Sequence, residues 1–106
     1  IDLDGTILKH NGYIFEKKDT LLKGVQSFFK KISKKDKIIF TTSRKKKYAR
    51  KTISFLKKNK LYFNEIIFDL PYGERILIND IKPKNKLKTA ISINVKRNNG
   101  LEKYKI

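Results

Sequence analysis

Apolar and polar positions along the chain fall into short blocks with changing periods. Residues 7–15 read I-L-K-H-N-G-Y-I-F, two apolar stretches around Asn11-Gly12. Asn-Gly accepts the positive φ angles of a two-residue turn, so this segment predicts a small hairpin flap. Leu21, Leu22, Val25, Phe28, Phe29 and Ile32 recur at spacings of three and four, which predicts an amphipathic helix over about residues 20–35 with lysines on its other face. Ile38-Ile39-Phe40 predicts a short buried strand ending in Thr41-Thr42-Ser43-Arg44. Helical spacing resumes at Tyr48, Ala49, Thr52, Ile53 and Leu56, with Ser43 as a candidate N-cap. Residues 65–69 (E-I-I-F-D), 75–79 (R-I-L-I-N) and 89–95 (T-A-I-S-I-N-V) predict three further strands, the first two separated by the Pro71-Tyr72-Gly73 turn. Strands alternating with helices imply right-handed crossovers. The expected fold is α/β: a Rossmann-like three-layer sandwich with a central, mostly parallel sheet and a small hairpin flap. Residues 96–106 are expected to form a tail or surface extension.

With 106 residues the chain is sized for one domain, residues 1–106, and it shows no internal repeat, low-complexity linker or sustained heptad pattern. It has no cysteine, which excludes disulfides and thiolate metal sites. No apolar run approaches the roughly 20 residues that span a bilayer. A soluble, cytoplasmic protein with no membrane partner is expected. The chain begins at Ile1 rather than methionine, which predicts missing N-terminal sequence.

The formal charge is +17. Clustered Lys and Arg suit polyanions, but only four of the 27 basic residues are Arg, whose planar fork favours phosphate recognition. The lysines are spread along a chain also rich in Ile and Asn, the pattern of A- and T-biased codon choice. The charge therefore predicts attraction of anionic substrates, with nucleic acid a secondary partner.

The stretch Asp2-Leu3-Asp4-Gly5-Thr6 changes the picture most. Alternate side chains of a strand share a face, so two aspartates one residue apart can reach one phosphate, one attacking and one carrying a proton. Gly5 lets the backbone turn toward the ligand. Alone, such a stretch is also compatible with a plain acidic turn. Its weight comes from two other strand ends, Thr42 and Asn79-Asp80, because in open parallel sheets ligands bind beyond the carboxyl ends of the strands. Carboxylates meeting there can hold magnesium, which takes oxygen ligands and bridges to phosphate.

These motifs, in this order, resemble those of the haloacid-dehalogenase-like phosphohydrolase superfamily. D-L-D-G-T is similar to its first motif, Phe40-Thr41-Thr42-Ser43-Arg44 to its second, and I-L-I-N-D to its acidic fourth. The resemblance implies Asp2 as nucleophile and magnesium ligand, and Asp4 as general acid/base that also offers its backbone carbonyl to the metal. It implies Thr42 as the phosphoryl ligand, with Thr41, Ser43 and Arg44 as neighbouring substrate contacts, and Asp80, with Asn79, completing the metal site. The family's third-motif lysine has no direct counterpart, since Leu70 precedes Pro71; Lys82 is the substitute, ahead of Arg44 and Arg75. Neither gap between the motifs has room for a cap domain. Uncapped relatives act on bulky substrates or close the site by forming a homo-oligomer. The P-Y-G-E-R-I-L-I-N-D-I-K-P segment also looks like small members associated with bacterial polysaccharide and sugar-phosphate metabolism.

The expected activity is magnesium-dependent hydrolysis of a phosphomonoester, through an aspartyl-phosphate, on a sugar phosphate or related small metabolite. A nucleic-acid end (3′) phosphatase and a non-catalytic binding module are the alternatives. The single histidine, His10, reads as a solvated hairpin residue, and most of the run from Arg44 to Lys47 as the solvated first turn of a helix. Tyr48, Phe55, Tyr62 and Phe63 read as packing groups rather than base-stacking platforms.

Overall fold

Three short extended segments run side by side in parallel in the computed structural model, which describes residues 1–106. Strand β1 (Ile39–Thr41) pairs with β2 (Glu65–Ile67) in the register Ile39↔Glu65, Phe40↔Ile66, Thr41↔Ile67. Asp2 bridges Thr41 from the opposite side, with the Thr41 amide donating to the Ile1 carbonyl at 2.9 Å. The architecture is α/β with a two-stranded parallel sheet.

Three helices are present, of which α1 forms part of the flap described below. Helix α2 (Val25–Lys31) buries Val25 and Phe29, four residues apart and hence on one face. A 3₁₀ turn (Lys46–Tyr48) leads into α3 (Ala49–Lys58), which buries Thr52 and Leu56 at the same spacing. Phe29 meets Phe40 of β1 at 5.8 Å between ring centroids, and Phe40 meets Phe63 at 5.4 Å. Leu3, Ile7, Leu8, Ile38, Leu61 and Leu101 complete the core. Phe55 and Phe63 pack against it, as their spacing predicts, whereas Tyr62 is exposed.

Several expectations need correction. The helix expected over residues 20–35 begins only at Val25, because Leu21 and Leu22 are used in pairing: Leu21 bridges Leu8 in antiparallel fashion and the Leu22 amide donates to the Ile7 carbonyl. The flap is accordingly no Asn-Gly hairpin. Asn11 takes the positive φ of 54° that the pair favours, but Gly12 opens a single helical turn, α1 (Gly12–Phe15), at the tip of a loop closed by residues 7–9 and 20–22. His10, expected in solvent, is half-buried, with its Nδ1 enclosed. Ser43 caps nothing; the helical segment it was expected to start begins after Lys45 without a side-chain cap.

Residues 75–79 and 89–95 form no strands. The segment 71–94 leaves the body after Leu70 as an extended arm, with Ile76, Leu77, Ile78, Ile81, Leu87, Ile91 and Ile93 exposed. Its two limbs touch where Asn79 Nδ2 donates to the Thr89 carbonyl at 2.6 Å. The arm accounts for a longest dimension of 50 Å and a radius of gyration of 14.7 Å, against about 13 Å for a compact chain of this length.

The last residues are no free tail. Leu101 is 4% exposed, its amide donates to the Lys23 carbonyl at 2.9 Å, and Tyr104 packs on the core. Gly100 makes this closure sterically feasible: its φ is 72°, and a Cβ there would lie 2.0 Å from the Lys23 carbonyl oxygen. Gly100→Ala should therefore destabilise the fold through both backbone strain and a clash with main chain, by about 2 kcal/mol or more. Thermal melting should show a fall in midpoint of several degrees, roughly 4–8 °C per kcal/mol for a domain of this size.

Candidate active site

The end of the N-terminal segment is shaped by Gly5. Its φ of 88° belongs to the left-handed region, and the turn is closed by the Gly5 amide donating to the Leu8 carbonyl at 2.7 Å, with the Thr6, Ile7 and Leu8 amides all directed at the Leu3 carbonyl. The turn buries Leu3 between the two aspartates while Asp2 and Asp4 remain on the other face of the strand. Its reverse side is held by the Asn98 amide, which donates to the Gly5 carbonyl at 2.8 Å, while Asn98 Oδ1 accepts from the His10 amide.

The two aspartates meet different surroundings. Thr6 Oγ1 donates to Asp2 Oδ2 at 3.1 Å, and no other side chain donates to the Asp2 carboxylate. Burial pushes its pKa above the usual carboxylate range. Thr6 pulls it back down and the Asp4 charge raises it again, with Arg75 the one cation drawing it down. Asp4 is gripped. Thr42 Oγ1 donates to its Oδ2 at 3.3 Å, and Arg44 donates through Nε to Oδ2 at 2.9 Å and through Nη2 to Oδ1 at 2.8 Å.

Arg44 is 2% exposed. Its remaining donors go to Asp19, from Nη1 at 2.9 Å and Nη2 at 2.6 Å, and to Thr52 Oγ1 at 3.0 Å. A guanidinium has five N–H groups, and all five are placed. Burial works against its charge, but the bonds to Asp19 and Asp4 more than offset this, and its pKa is raised. The Tyr13 ring from α1 lies 4.0 Å from the guanidinium carbon. Burial, then the Asp4 charge, pushes the Tyr13 hydroxyl pKa up. Thr42 is 1% exposed, and its hydroxyl also accepts from the Arg44 amide at 3.0 Å.

The structure thus brings Asp2, Asp4 and Thr42 to one sheet end, where Thr41 of β1 bridges Asp2. Ser43 is exposed beside them. Arg44, expected to contact substrate, has no donor left for one. Asn79, Asp80 and Lys82 lie on the arm and make no hydrogen bond or ion pair with this sheet end; Lys82 Nζ pairs instead with Asp80 at 2.9 Å in an exposed position. No three histidine, cysteine or acidic side chains gather into a metal cluster. What the site offers a hard cation is the Asp2 carboxylate and the Asp4 carbonyl, which accepts no backbone hydrogen bond. That small oxygen set fits magnesium, which keeps several waters and needs only one or two carboxylates.

Two residues of this centre escaped sequence reading. Thr6 carries a signal, as the last residue of D-L-D-G-T. Asp19 carries almost none, being a carboxylate among lysines whose partner lies 25 positions away.

A family model described as NLI interacting factor-like phosphatase matches residues 1–72. The chain belongs to that family. It is a haloacid-dehalogenase-like phosphatase family, and the protein is a phosphatase, a hydrolase of phosphoric monoesters. No curated protein and no solved structure matches the chain. The matched residues contain Asp2, Asp4, Thr42 and Arg44 and stop where the arm begins, so the phosphatase match rests on the packed body. In the metal-free phosphatase, the Asp2 carboxyl should titrate above the ordinary value of about 3.9, since desolvation disfavours its charged form. Added magnesium should move that titration down, because a bound cation favours the carboxylate. NMR of the side-chain carboxyl, with and without the metal, measures both.

Proposed function

We propose that this phosphatase acts through an aspartyl-phosphate on Asp2, with Asp4 as general acid and base, and with magnesium. The observation that supports this most is the contrast between the aspartates: Asp2 has a single side-chain donor, whereas Asp4 is held in a fixed orientation beside it. In the first step an Asp2 oxygen bonds to phosphorus as the ester bond breaks, and Asp4, protonated at Oδ1, which accepts one hydrogen bond where Oδ2 accepts two, gives that proton to the departing oxygen. In the second, Asp4 takes a proton from water as that water attacks phosphorus; inorganic phosphate leaves and Asp2 is restored. Thr42 is assigned to the transferring group; its hydroxyl, which donates to Asp4 at 3.3 Å, would turn to a phosphoryl oxygen, while its amide stays on the Ile67 carbonyl. Magnesium, when bound by Asp2 and the Asp4 carbonyl, supplies charge neutralisation between carboxylate and phosphate.

The fuller Rossmann-like sheet belongs to the same proposal. Residues 75–79 have the continuous apolar run of a strand buried on both faces, and pairing beside Asp2 would bring Asn79 and Asp80 toward the site. The proposed substrate is a sugar phosphate or related small metabolite, supported by the likeness of residues 71–83 to small members of that metabolism. The charge of +17 favours a nucleic-acid 3′ end as the second reading. A screen over sugar phosphates, nucleotides and 3′-phosphorylated oligonucleotides, with and without magnesium, separates them.

Asp2→Asn should abolish turnover, because the covalent route is lost, while Asp4→Asn should slow it by roughly 10²- to 10⁴-fold. Steady-state phosphate release measures both, and near-normal release by Asp2→Asn would refute the assignment. The cation opposite the nucleophile is assigned to Arg75, whose Nη1 is anchored on the Pro71 and Gly73 carbonyls at 3.1 and 2.9 Å while its Nε and Nη2 have no protein acceptor. Arg75→Ala should lower kcat by about 10²-fold, the scale of losing one donor to developing charge. Lys82→Ala, which removes only the exposed pair with Asp80, should leave kcat unchanged; the reverse ranking would return the role to Lys82.

A further inference from the structure

We propose that Arg44 and Asp19, with Thr52, are positioning residues that brace the Asp4 carboxylate toward the leaving group. This rests on the reading of Asp4 as general acid. None of the three makes a hydrogen bond to Asp2, so their action passes through Asp4.

The geometry of the guanidinium carries the argument. Its N–H groups lie in one plane and form two forked edges. The Nε/Nη2 edge holds both oxygens of Asp4, and the Nη1/Nη2 edge holds both oxygens of Asp19. Both carboxylates are therefore tied to the plane of one rigid group, and the position of Asp19 fixes the orientation of Asp4. The brace is itself tied down. Thr52 on α3 takes the last Nη1 proton, Tyr13 covers one face of the plane, and Asp19 precedes Thr20, whose carbonyl accepts from the Lys9 amide at 2.9 Å.

A free aspartate side chain visits several rotamers. Proton delivery, in contrast, tolerates displacements of only about 0.5 Å and 10–20°. Asp4 takes two of the five N–H groups of Arg44, and Asp19 and Thr52 take the other three. With two carboxylates on one cation, a proton on Asp4, as its role as acid requires, leaves the cluster neutral. The arrangement has the form of a mount for Asp4, with Asp19 as its fixed end.

The test compares p-nitrophenyl phosphate, whose leaving group departs without a proton, with an alkyl phosphomonoester, whose leaving group needs one. The readout is single-turnover release of the leaving group, the step before Asp4 acts as base. Asp4→Asn should slow that release mainly on the alkyl ester; if it slows both equally, the reading of Asp4 fails and the brace with it. Given that result, Asp19→Asn should slow alcohol release from the alkyl ester by roughly 10- to 100-fold, part of the full general-acid contribution. Its release of p-nitrophenolate should stay within about threefold, with KM for both esters little changed. Asp19→Glu, which keeps the charge, should restore part of the loss. Thr52→Val removes one bond from the same fork and should give a smaller loss of the same selectivity, which decides the matter if Asp19→Asn does not fold. Equal losses on both substrates, or no loss on either, in folded variants would overturn the proposal.

Discussion

A buried guanidinium must place every one of its N–H groups, and the arrangement around Arg44 follows from that requirement. The acceptors come from the turn after the first extended segment, from the loop preceding α2, and from α3. None of these segments can shift without leaving a charged donor in apolar surroundings, and breaking such a buried pair costs about 3–5 kcal/mol. The flap is drawn into the same arrangement through Tyr13, and the loop after β1 through the Arg44 amide on Thr42. Core packing of Phe29, Phe40 and Phe63 stabilises the body without specifying orientation at the sheet end. Arg44 supplies that orientation.

The features legible in the sequence are those whose cause is local. D-L-D-G-T shows its turn because Gly5 is needed for a positive φ, and the Val25/Phe29 and Thr52/Leu56 pairs show themselves by helical spacing. Residues 38–41 and 65–67 are readable as strands because their apolar runs are short and bounded. Features that depend on distant partners are not readable. Nothing near Leu21 announces that its backbone pairs with Leu8 instead of entering a helix. Nothing near Leu101 announces a place in the core, since the approach to Lys23 that Gly100 allows is visible only in three dimensions. Arg44 stands in a motif that suggests substrate binding, and its commitment to Asp4 and Asp19 depends on residues up to 40 positions away.

Residues 75–79 show the limit from the other side. Their pattern is that of a doubly buried strand, and a strand exists only where a neighbouring ladder takes its N–H and C=O groups. Here the arm makes its hydrogen bonds within itself, among them those of Asn79, Lys82 and Thr89, Arg75 reaches the body only through its charge on Asp2, and the arm's isoleucines stay in solvent. An apolar surface of this kind is a drive toward association that the remaining contacts do not satisfy. The apolar run marks a segment able to form a strand; the pairing partner decides whether it does.

The two aspartates of the site are separated by one residue yet stand in opposite situations, and the proposed division of tasks rests on that difference. A nucleophile must approach phosphorus along a path that changes during reaction, so a carboxylate with one side-chain hydrogen bond, from Thr6, retains the needed freedom. The proposed proton carrier works at a fixed point on the leaving oxygen, and Asp4, oriented by Arg44 with one position of Oδ1 left for a proton, suits that task. Burial of Leu3 between them keeps the strand from rotating. The same short segment can supply a mobile group and a fixed one because only Asp4 lies within reach of Arg44.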